Sequence, residues 1–367
     1  MATFYVDVNA DVGGTGTTNG LTGATCAFKS LSICHAARLA TLAGSLAGAG
    51  VETWICGSNH ATLHTADTTS VSVSGWTGAT ANDYIRITTD ATSKAGMVWS
   101  TSKYRLSLSA NATVLAPSTD YTRVEGLQIE SNDVGTAANI LYTPAAVGAL
   151  RLLANHIRWS VAGTAIALGR ELATVATSGA NIVANNLVYG GSGATAHGIY
   201  LRAPDATTKS LVYANTVYGC AAYGIRNRDG FGYAQNNLVI NCATSVGGLS
   251  YYEQSAYLRA DYNGFDSGPD PGQNGADLRA RLDAEIFVDA VGLDYSLRVG
   301  SAAAGHGIPL TKDPYGFYDV GSIDLTGAAR GASTWALGCH EVAPAATLGN
   351  GRPNALRPAI FAPGRAR

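Results

Sequence analysis

A short segment recurs four times in the middle of the chain, and this repeat limits the possible folds more than any other feature. Each copy places an asparagine before a run of aliphatic or aromatic residues, and the first asparagine of each copy falls at position 155, 185, 215 and 236. A second short apolar run follows each copy. The repeat therefore predicts strand, turn and strand in every unit. The four copies are 154–159, 184–189, 214–218 and 235–240, and the second runs are 164–166, 198–200, 224–226 and 248–250.

The strands of each unit are short, and the connections between them lack any segment with helical periodicity. This excludes strand-helix-strand crossovers, so each unit must pack against the next, as in a parallel β-solenoid. Asparagine suits the same corner of successive units, because it tolerates left-handed backbone geometry and its amide can bond to the asparagine of the next unit. We therefore predict that Asn155, Asn185, Asn215 and Asn236 lie in one line along the stack.

The composition excludes several other classes of protein. Only 14% of the 367 residues are charged and 44 are glycine, which excludes a Glu/Lys-rich helical bundle or a coiled coil. Hydrophobic residues make up 46% of the chain and include 18 tyrosines and five tryptophans, too many for a disordered protein. The net charge is −2 and the basic residues are scattered, so no stripe exists for binding nucleic acid.

Neither membrane insertion nor a metal or cofactor is expected. The N-terminus lacks the basic and apolar regions of a secretory signal, and the longest mildly apolar stretch, 36–51, is too short to span a bilayer. The six cysteines form no Cys-x-x-Cys pair and no zinc-type spacing with histidine. We predict buried free thiols, no metal, no cofactor and no membrane partner.

The two ends of the chain differ from the repeat. Residues 30–43 place Leu31, Cys34, Leu39 and Leu42 near helical spacing, which predicts an amphipathic helix that closes the first unit. Past residue 265 the repeat fades into a Gly/Pro/Asp loop, followed by a predicted short helix over 276–284. The expected organisation is an N-terminal strand, loop and capping helix (1–50), the stacked units (51–265), a closing segment (266–345) and an extended tail (346–367).

Several terminal segments resemble the right-handed parallel β-helix proteins of the pectate-lyase-like superfamily, most closely members found on phage particles or cell surfaces without an evident catalytic site. The resemblance implies an all-β, right-handed parallel β-helix with an N-terminal capping helix and an extended C-terminal tail. It indicates fold more than function, because this superfamily includes lyases, hydrolases and structural proteins. The segments that carry it are 4–7, 20–31, 51–57, 84–88, 286–289, 294–301, 324–330 and 337–341.

A candidate catalytic ridge follows from aligning the second strands. The alignment places Arg202 beside Arg228, and Asp229 beside Glu253, with carboxylates about one strand spacing apart. The resemblance implies that lyases of this superfamily use carboxylates with Ca²⁺ and a basic residue, and that the hydrolases use clustered aspartates. Alternating Arg and acid are equally typical of solvated ion pairs on a turn, so the prediction leans towards no catalysis.

Tyrosines concentrate in the repeat, where they can bind the apolar faces and hydroxyls of sugars or a protein partner. We select Tyr200, Tyr223, Tyr251 and Tyr252 as candidates for such binding. The alternative is that tyrosines fill corners of the units and stack on one another. His197 precedes a strand, but no acid stands at a fixed offset to orient it. The tyrosines expected to be exposed are Tyr189, Tyr200, Tyr218, Tyr223, Tyr233, Tyr251, Tyr252 and Tyr257.

The C-terminal tail is basic and rich in proline and glycine, and it cannot form a helix or sheet by itself. We predict that it binds another chain of an assembly, with apolar anchors and arginines in contact with the partner. These observations favour a virion component made in the host cytoplasm, such as a capsid decoration, head-spike or tailspike-like protein, that binds host glycans and is a homo-oligomer, with a trimer as the first guess. The alternative is a polysaccharide lyase or glycoside hydrolase. The tail residues selected are Arg352, Arg357, Ile360, Phe361 and Arg365, together with Leu356.

Overall fold

The computed structural model describes most of the chain up to residue 342. The ranges are 1–57, 65–133, 139–143, 147–159, 166–170, 180–190, 197–201, 209–227, 231–242, 251–253, 258–267, 274–279, 281–310 and 323–342. The C-terminal tail and the predicted ridge residues Arg202, Arg228 and Asp229 lie outside the described residues. Tyr257 and the second apolar run at 248–250 lie outside them as well.

The described chain is mostly β and forms three parallel sheets, so the expected all-β class and parallel strand arrangement are confirmed. The first sheet contains Ala2–Val6, Val51–Cys56, Tyr84–Thr89, Arg123–Glu125, Arg151–Leu153, Asn181–Ala184, Lys209–Tyr213, Phe231–Gln235 and Leu258–Asp261. The second contains Arg105–Leu108, Gln128–Ser131, His156–Trp159, Leu187–Tyr189, Thr216–Tyr218, Leu238–Ile240, Gly264–Phe265 and Ala276–Asp277. The third contains Val71–Ser72, Leu115–Ala116, Leu141–Thr143, Ile166–Arg170, His197–Leu201, Ile225–Asn227 and Tyr251–Glu253.

From Arg123 to Phe265 the described strands follow one another through the first, second and third sheets in turn, and each strand pairs with the strand one repeat later. The register places aliphatic residues of successive repeats next to one another: Ile157 pairs with Val188, and Val188 pairs with Val217. Side chains from all three sheets meet in one buried core, which includes Val183, Val217 and Ile225. Stacking of aliphatic residues at a constant position explains why three-residue strands suffice, because each repeat buries the apolar surface of the one before it.

An asparagine ladder lines the corner between the first and second sheets. The side-chain amide of each of the first four asparagines donates to Oδ1 of the asparagine one repeat later, at 2.9–3.1 Å, and to a backbone carbonyl of the repeat before it, at 2.9–3.0 Å. The Oδ1 atom of each of the last four also accepts the backbone N–H of the preceding repeat's asparagine, so the three inner amides are fully bonded. The ladder consists of Asn155, Asn186, Asn215, Asn237 and Asn263.

The predicted line of asparagines is therefore wrong by one residue at two positions. The strand register pairs His156 with Leu187 and Thr216 with Leu238, so the second asparagine of each Asn-Asn pair enters the ladder. The first asparagine, Asn185 or Asn236, takes the left-handed backbone position with φ of 57°. Within each Asn-Asn pair, the first asparagine therefore takes the left-handed backbone position and the second bonds to the asparagines of the adjacent repeats. Ala154 and Ala214, with φ of 53° and 51°, occupy the same left-handed position in the other repeats.

The predicted N-terminal helix is confirmed and spans Leu31–Thr41. Ser30 is its N-cap, and the Ser30 hydroxyl accepts the N–H of Ile33 at 3.2 Å. Leu31 and Cys34 face the core at the start of the stack. A second anchor is the buried carboxylate of Asp67, which accepts the Leu31 N–H and the Tyr104 hydroxyl, both at 2.8 Å. Burial raises the pKa of Asp67, and these hydrogen bonds partly offset that rise.

Replacing Asp67 by alanine is expected to lower the free energy of unfolding by about 2–4 kcal/mol, because a helix N–H and a buried tyrosine hydroxyl both lose their acceptor. Urea denaturation measures this change. Asp11 is an exposed carboxylate near the same end of the chain, and Asp11→Ala is the matched control, with an expected change within about 0.5 kcal/mol. Equal effects of the two substitutions would contradict a role for Asp67 in anchoring the helix.

The predicted helix over 276–284 is wrong. Ala276–Asp277 instead adds a strand to the second sheet, because the Ala276 N–H donates to the Asn263 carbonyl at 2.8 Å, and the helix is confined to Asp283–Ile286. An antiparallel hairpin of Phe287–Asp289 and Asp294–Leu297 follows. In the described part of the chain, no helix is long and apolar enough to cross a membrane.

The closing segment packs on the outer faces of the first and second sheets. Asn185 and Asn236, the asparagines at the left-handed positions, bind it by hydrogen bonds. Asn236 exchanges two hydrogen bonds with the backbone of Ile308, at 2.7 and 3.1 Å, and Asn185 Oδ1 accepts from Arg330 at 2.8 Å. The Arg330 guanidinium is buried and pairs with Glu341 at 3.2 Å. Burial lowers the pKa of Arg330 and raises that of Glu341. Among the described residues, no apolar cluster joins the closing segment to the outer face of the third sheet.

Candidate functional site

The strand register of the third sheet differs from the alignment behind the predicted ridge at two places. The Cα partner of Glu253 is Asn227, whereas the sequence alignment paired Glu253 with Asp229, two residues farther along. Tyr252 accordingly pairs with Arg226 and not with Arg228, and Gly169 pairs with Tyr200 and not with Arg202. The alignment slipped because the connections before these strands differ in length. The register therefore gives Glu253 a different partner from the one that the alignment assigned to it.

The predicted binding tyrosines differ in their environments. Tyr200 is 4% exposed, so the expectation of an open tyrosine there is wrong, and Tyr189 and Tyr233 are also buried. Tyr223 is half-buried. Tyr251 and Tyr252 lie in the last strand of the third sheet, where Tyr251 pairs with Ile225 and Tyr252 with Arg226. The register places Tyr252 in the same row as Tyr200.

His197, Tyr200, Tyr223 and Arg226 form a compact cluster at the third sheet. The His197 ring lies between the two tyrosine rings, with centroid distances of 5.5 Å to Tyr200 and 5.2 Å to Tyr223 and interplanar angles of 20° and 17°. The Arg226 guanidinium carbon lies 5.4 and 5.0 Å from the centroids of the same tyrosine rings. Three nearly parallel rings and one cation are therefore packed together at the third sheet, and we name this group the His197 cluster.

The hydrogen bond between Arg226 and His197 determines the tautomer of the imidazole. Arg226 Nη1 lies 3.2 Å from His197 Nε2, and a guanidinium can only donate, so Nε2 is the acceptor. The proton of the neutral ring is then on Nδ1. That atom is buried and has no hydrogen-bond partner among the described residues. Burial, with a smaller contribution from the Arg226 charge, lowers the pKa of His197 to about 4, so the ring is neutral at pH 7.

The His197 cluster therefore presents a buried N–H donor, a neighbouring cation and aromatic faces. Such a set suits a ligand that carries oxygen acceptors on an otherwise flat, weakly apolar body. Glu253, a predicted catalytic carboxylate, belongs to the next strand of the sheet and pairs with Asn227. No three His, Cys, Asp or Glu side chains of the described residues come together as a metal site.

Sequence reasoning missed His197 and Arg226 for identifiable reasons. His197 looked isolated because its partner is an arginine rather than an acid, and Arg226 was assigned to an apolar run beside Ile225. In the strand register Arg226 follows Tyr200 by one repeat, so the two residues lie in one row across the sheet. This row is the signal that could have identified the cluster. No model of a known protein family matches the chain, and no curated protein matches it.

Proposed function

We propose that this chain binds glycans through the His197 cluster and serves as a structural component of a virion, as a capsid decoration, head-spike or tailspike-like protein. We also infer that its fold is a right-handed parallel β-helix of the pectate-lyase-like type. The strand order that rotates through three sheets and the asparagine ladder support the fold proposal. The tail and the low surface charge support a place in an assembly.

The observation that carries the glycan proposal is the Nδ1–H of His197 held between two tyrosine rings beside Arg226. Sugars present alternating C–H faces and hydroxyl oxygens, and the cluster offers the half-buried Tyr223 ring, the Arg226 cation and the His197 donor to match them. A charge-assisted bond from Arg226 would strengthen further with a carboxylate-bearing sugar. The parallel stack suits a binding surface in a particle, because each repeat is fixed by the neighbours on both sides.

Replacing Arg226 by methionine is expected to weaken glycan binding at least about tenfold, because the cation is lost and the tautomer of His197 is no longer set. We would measure binding of the full chain to a panel of purified bacterial surface polysaccharides by biolayer interferometry. Arg123→Met is the matched control, since the Arg123 guanidinium carbon lies 4.1 Å from the Tyr84 ring centroid on a different sheet.

Unchanged binding in Arg226→Met would contradict the proposed site. The same samples distinguish the alternative function. New reducing ends or unsaturated products released from the polysaccharide would favour a glycoside hydrolase or a polysaccharide lyase over a binding protein.

A further inference from the structure

Exposed apolar side chains concentrate on one hairpin of the closing segment. Of the ten large apolar side chains that are exposed in the described part of the chain, six lie on or beside the hairpin formed by Phe287–Asp289 and Asp294–Leu297. Val98 joins this group because it bridges to Asp294. We name the group the hairpin patch; it consists of Val98, Leu282, Val288, Val291, Leu293 and Val299. Clustering of this kind marks interaction surfaces, whereas single exposed apolar residues do not.

The same hairpin has an acidic character. Residues 281–299 contain four acidic and two basic side chains, and Glu285 and Asp289 are exposed. Arg281 lies 4.0 Å from Glu285, so the acidic excess is found around Asp289 and Asp294. A partner with apolar anchors and positive charge would complement this surface.

An aromatic pocket adjoins the hairpin patch. It has a volume of about 310 Å³ and is lined by Tyr218, Tyr295, Leu293 and Arg158, among others. The Tyr218 and Tyr295 rings lie 4.8 Å apart, and Leu293 belongs to both the pocket and the patch. Pockets lined in this way hold the aromatic or aliphatic anchors that dominate binding energy at protein interfaces.

The described chain ends next to this surface. His340 Nδ1 accepts the Leu297 N–H at 2.9 Å, and Val342 packs against the apolar cluster that contains Leu297. Residues 343–367 follow from this point. Within them, 347–367 contains four arginines, no acid and the apolar residues Leu356, Ile360 and Phe361. This composition is complementary to the hairpin patch in both apolarity and charge.

We propose that the C-terminal tail of one copy docks on the hairpin patch of a second copy, with Phe361 in the aromatic pocket and arginines beside the acidic side chains. This proposal rests on the assembly role proposed above and names the surface that performs it. Ordering some twenty residues costs more free energy than burial of three apolar side chains returns, so docking requires further contacts. A second copy supplies these further contacts, because docking of the tail on another molecule also brings the surfaces of the two molecules together.

A photo-crosslinking experiment on the full chain tests which copy receives the tail. A benzoylphenylalanine replaces Phe361, and equal amounts of ¹⁵N-labelled and unlabelled chains are mixed before irradiation and mass spectrometry. We expect crosslinks from position 361 to residues 282–299, with labelled and unlabelled peptides joined in the same product. Crosslinks only within one chain, or crosslinks only to other regions, would overturn the proposal.

Substitutions give an independent measurement. Val291→Asp in the patch and Phe361→Asp in the tail are each expected to weaken self-association of the full chain about tenfold or more in analytical ultracentrifugation. Val12 is 79% exposed near the N-terminus, and Val12→Asp is the matched control with unchanged association. Equal association in all three variants would overturn the proposal. Glycan binding by the His197 cluster is measured separately, so loss of one activity with retention of the other shows which proposal has failed.

Discussion

Replacing Asn186 by alanine is expected to lower the free energy of unfolding by about 3–5 kcal/mol. The Asn186 side chain takes part in four buried hydrogen bonds, two with Asn155 and one each with the Leu152 carbonyl and Asn215 Oδ1. Alanine removes all four and leaves their buried partners without these bonds. Equilibrium denaturation by urea measures the change.

The neighbouring asparagine is the matched control. Asn185 sits at the left-handed position, where Ala154 and Ala214 show that alanine is tolerated, and its Oδ1 accepts one bond from Arg330. We expect Asn185→Ala to cost about 1.5–3 kcal/mol, roughly what one hydrogen bond to a charged group contributes. A larger loss in Asn185→Ala than in Asn186→Ala would contradict the register of the ladder.

Stability is expected to fall by several kcal/mol as the pH decreases from about 6.5 towards 3, with His156 and His197 as the main contributors. His156 Nδ1 donates to the Gly96 carbonyl at 2.8 Å, and the ring is packed edge-on against Trp99 and Tyr189. Burial lowers the pKa of His156 to about 3. In this pH window the unfolded chain binds a proton that the folded chain excludes, so the stabilisation is present above the unfolded pKa and is lost as the pH falls.

His156→Leu should flatten this pH dependence, because leucine cannot be protonated. Leucine fits the position, since Leu187 and Leu238 occupy the same place in later repeats. His306 is exposed and desolvation lowers its pKa less than that of His156, so His306→Gln is the control that should reduce the pH dependence much less than His156→Leu. Urea denaturation at intervals between pH 8 and pH 4 compares the three proteins. A pH dependence in His156→Leu equal to that of the unaltered chain would contradict this assignment.

The sequence was sufficient to predict parallel stacking because the repeat places aliphatic residues such as Ile157 and Val217 at one position in successive units. It could not define the register of the asparagines, since Asn-Asn pairs satisfy the pattern in two ways. The register depends on which residue takes the left-handed turn. Packing determines which asparagine takes the turn, because Leu187 and Leu238 pack against the closing segment, which is far away in the sequence.

The His197 cluster was less accessible to sequence reasoning. Its row depends on connections of unequal length, so the alignment placed Arg228 instead of Arg226 beside Tyr252. Burial of Tyr200 results from contact with His197, three residues before it, and with Arg226 in the next repeat. A repeat pattern defines positions along the stack, but it does not show which outward side chains contact one another.

The tautomer of His197 tests the proposed binding chemistry most directly. Long-range ¹H–¹⁵N correlation spectra of the full chain, assigned with His197→Gln, report which ring nitrogen is protonated. We expect the proton on Nδ1 at pH 7, a pKa near 4 and a change in the Nδ1 signal when a bound polysaccharide is added. A proton on Nε2, or titration near the ordinary histidine pKa, would contradict the account.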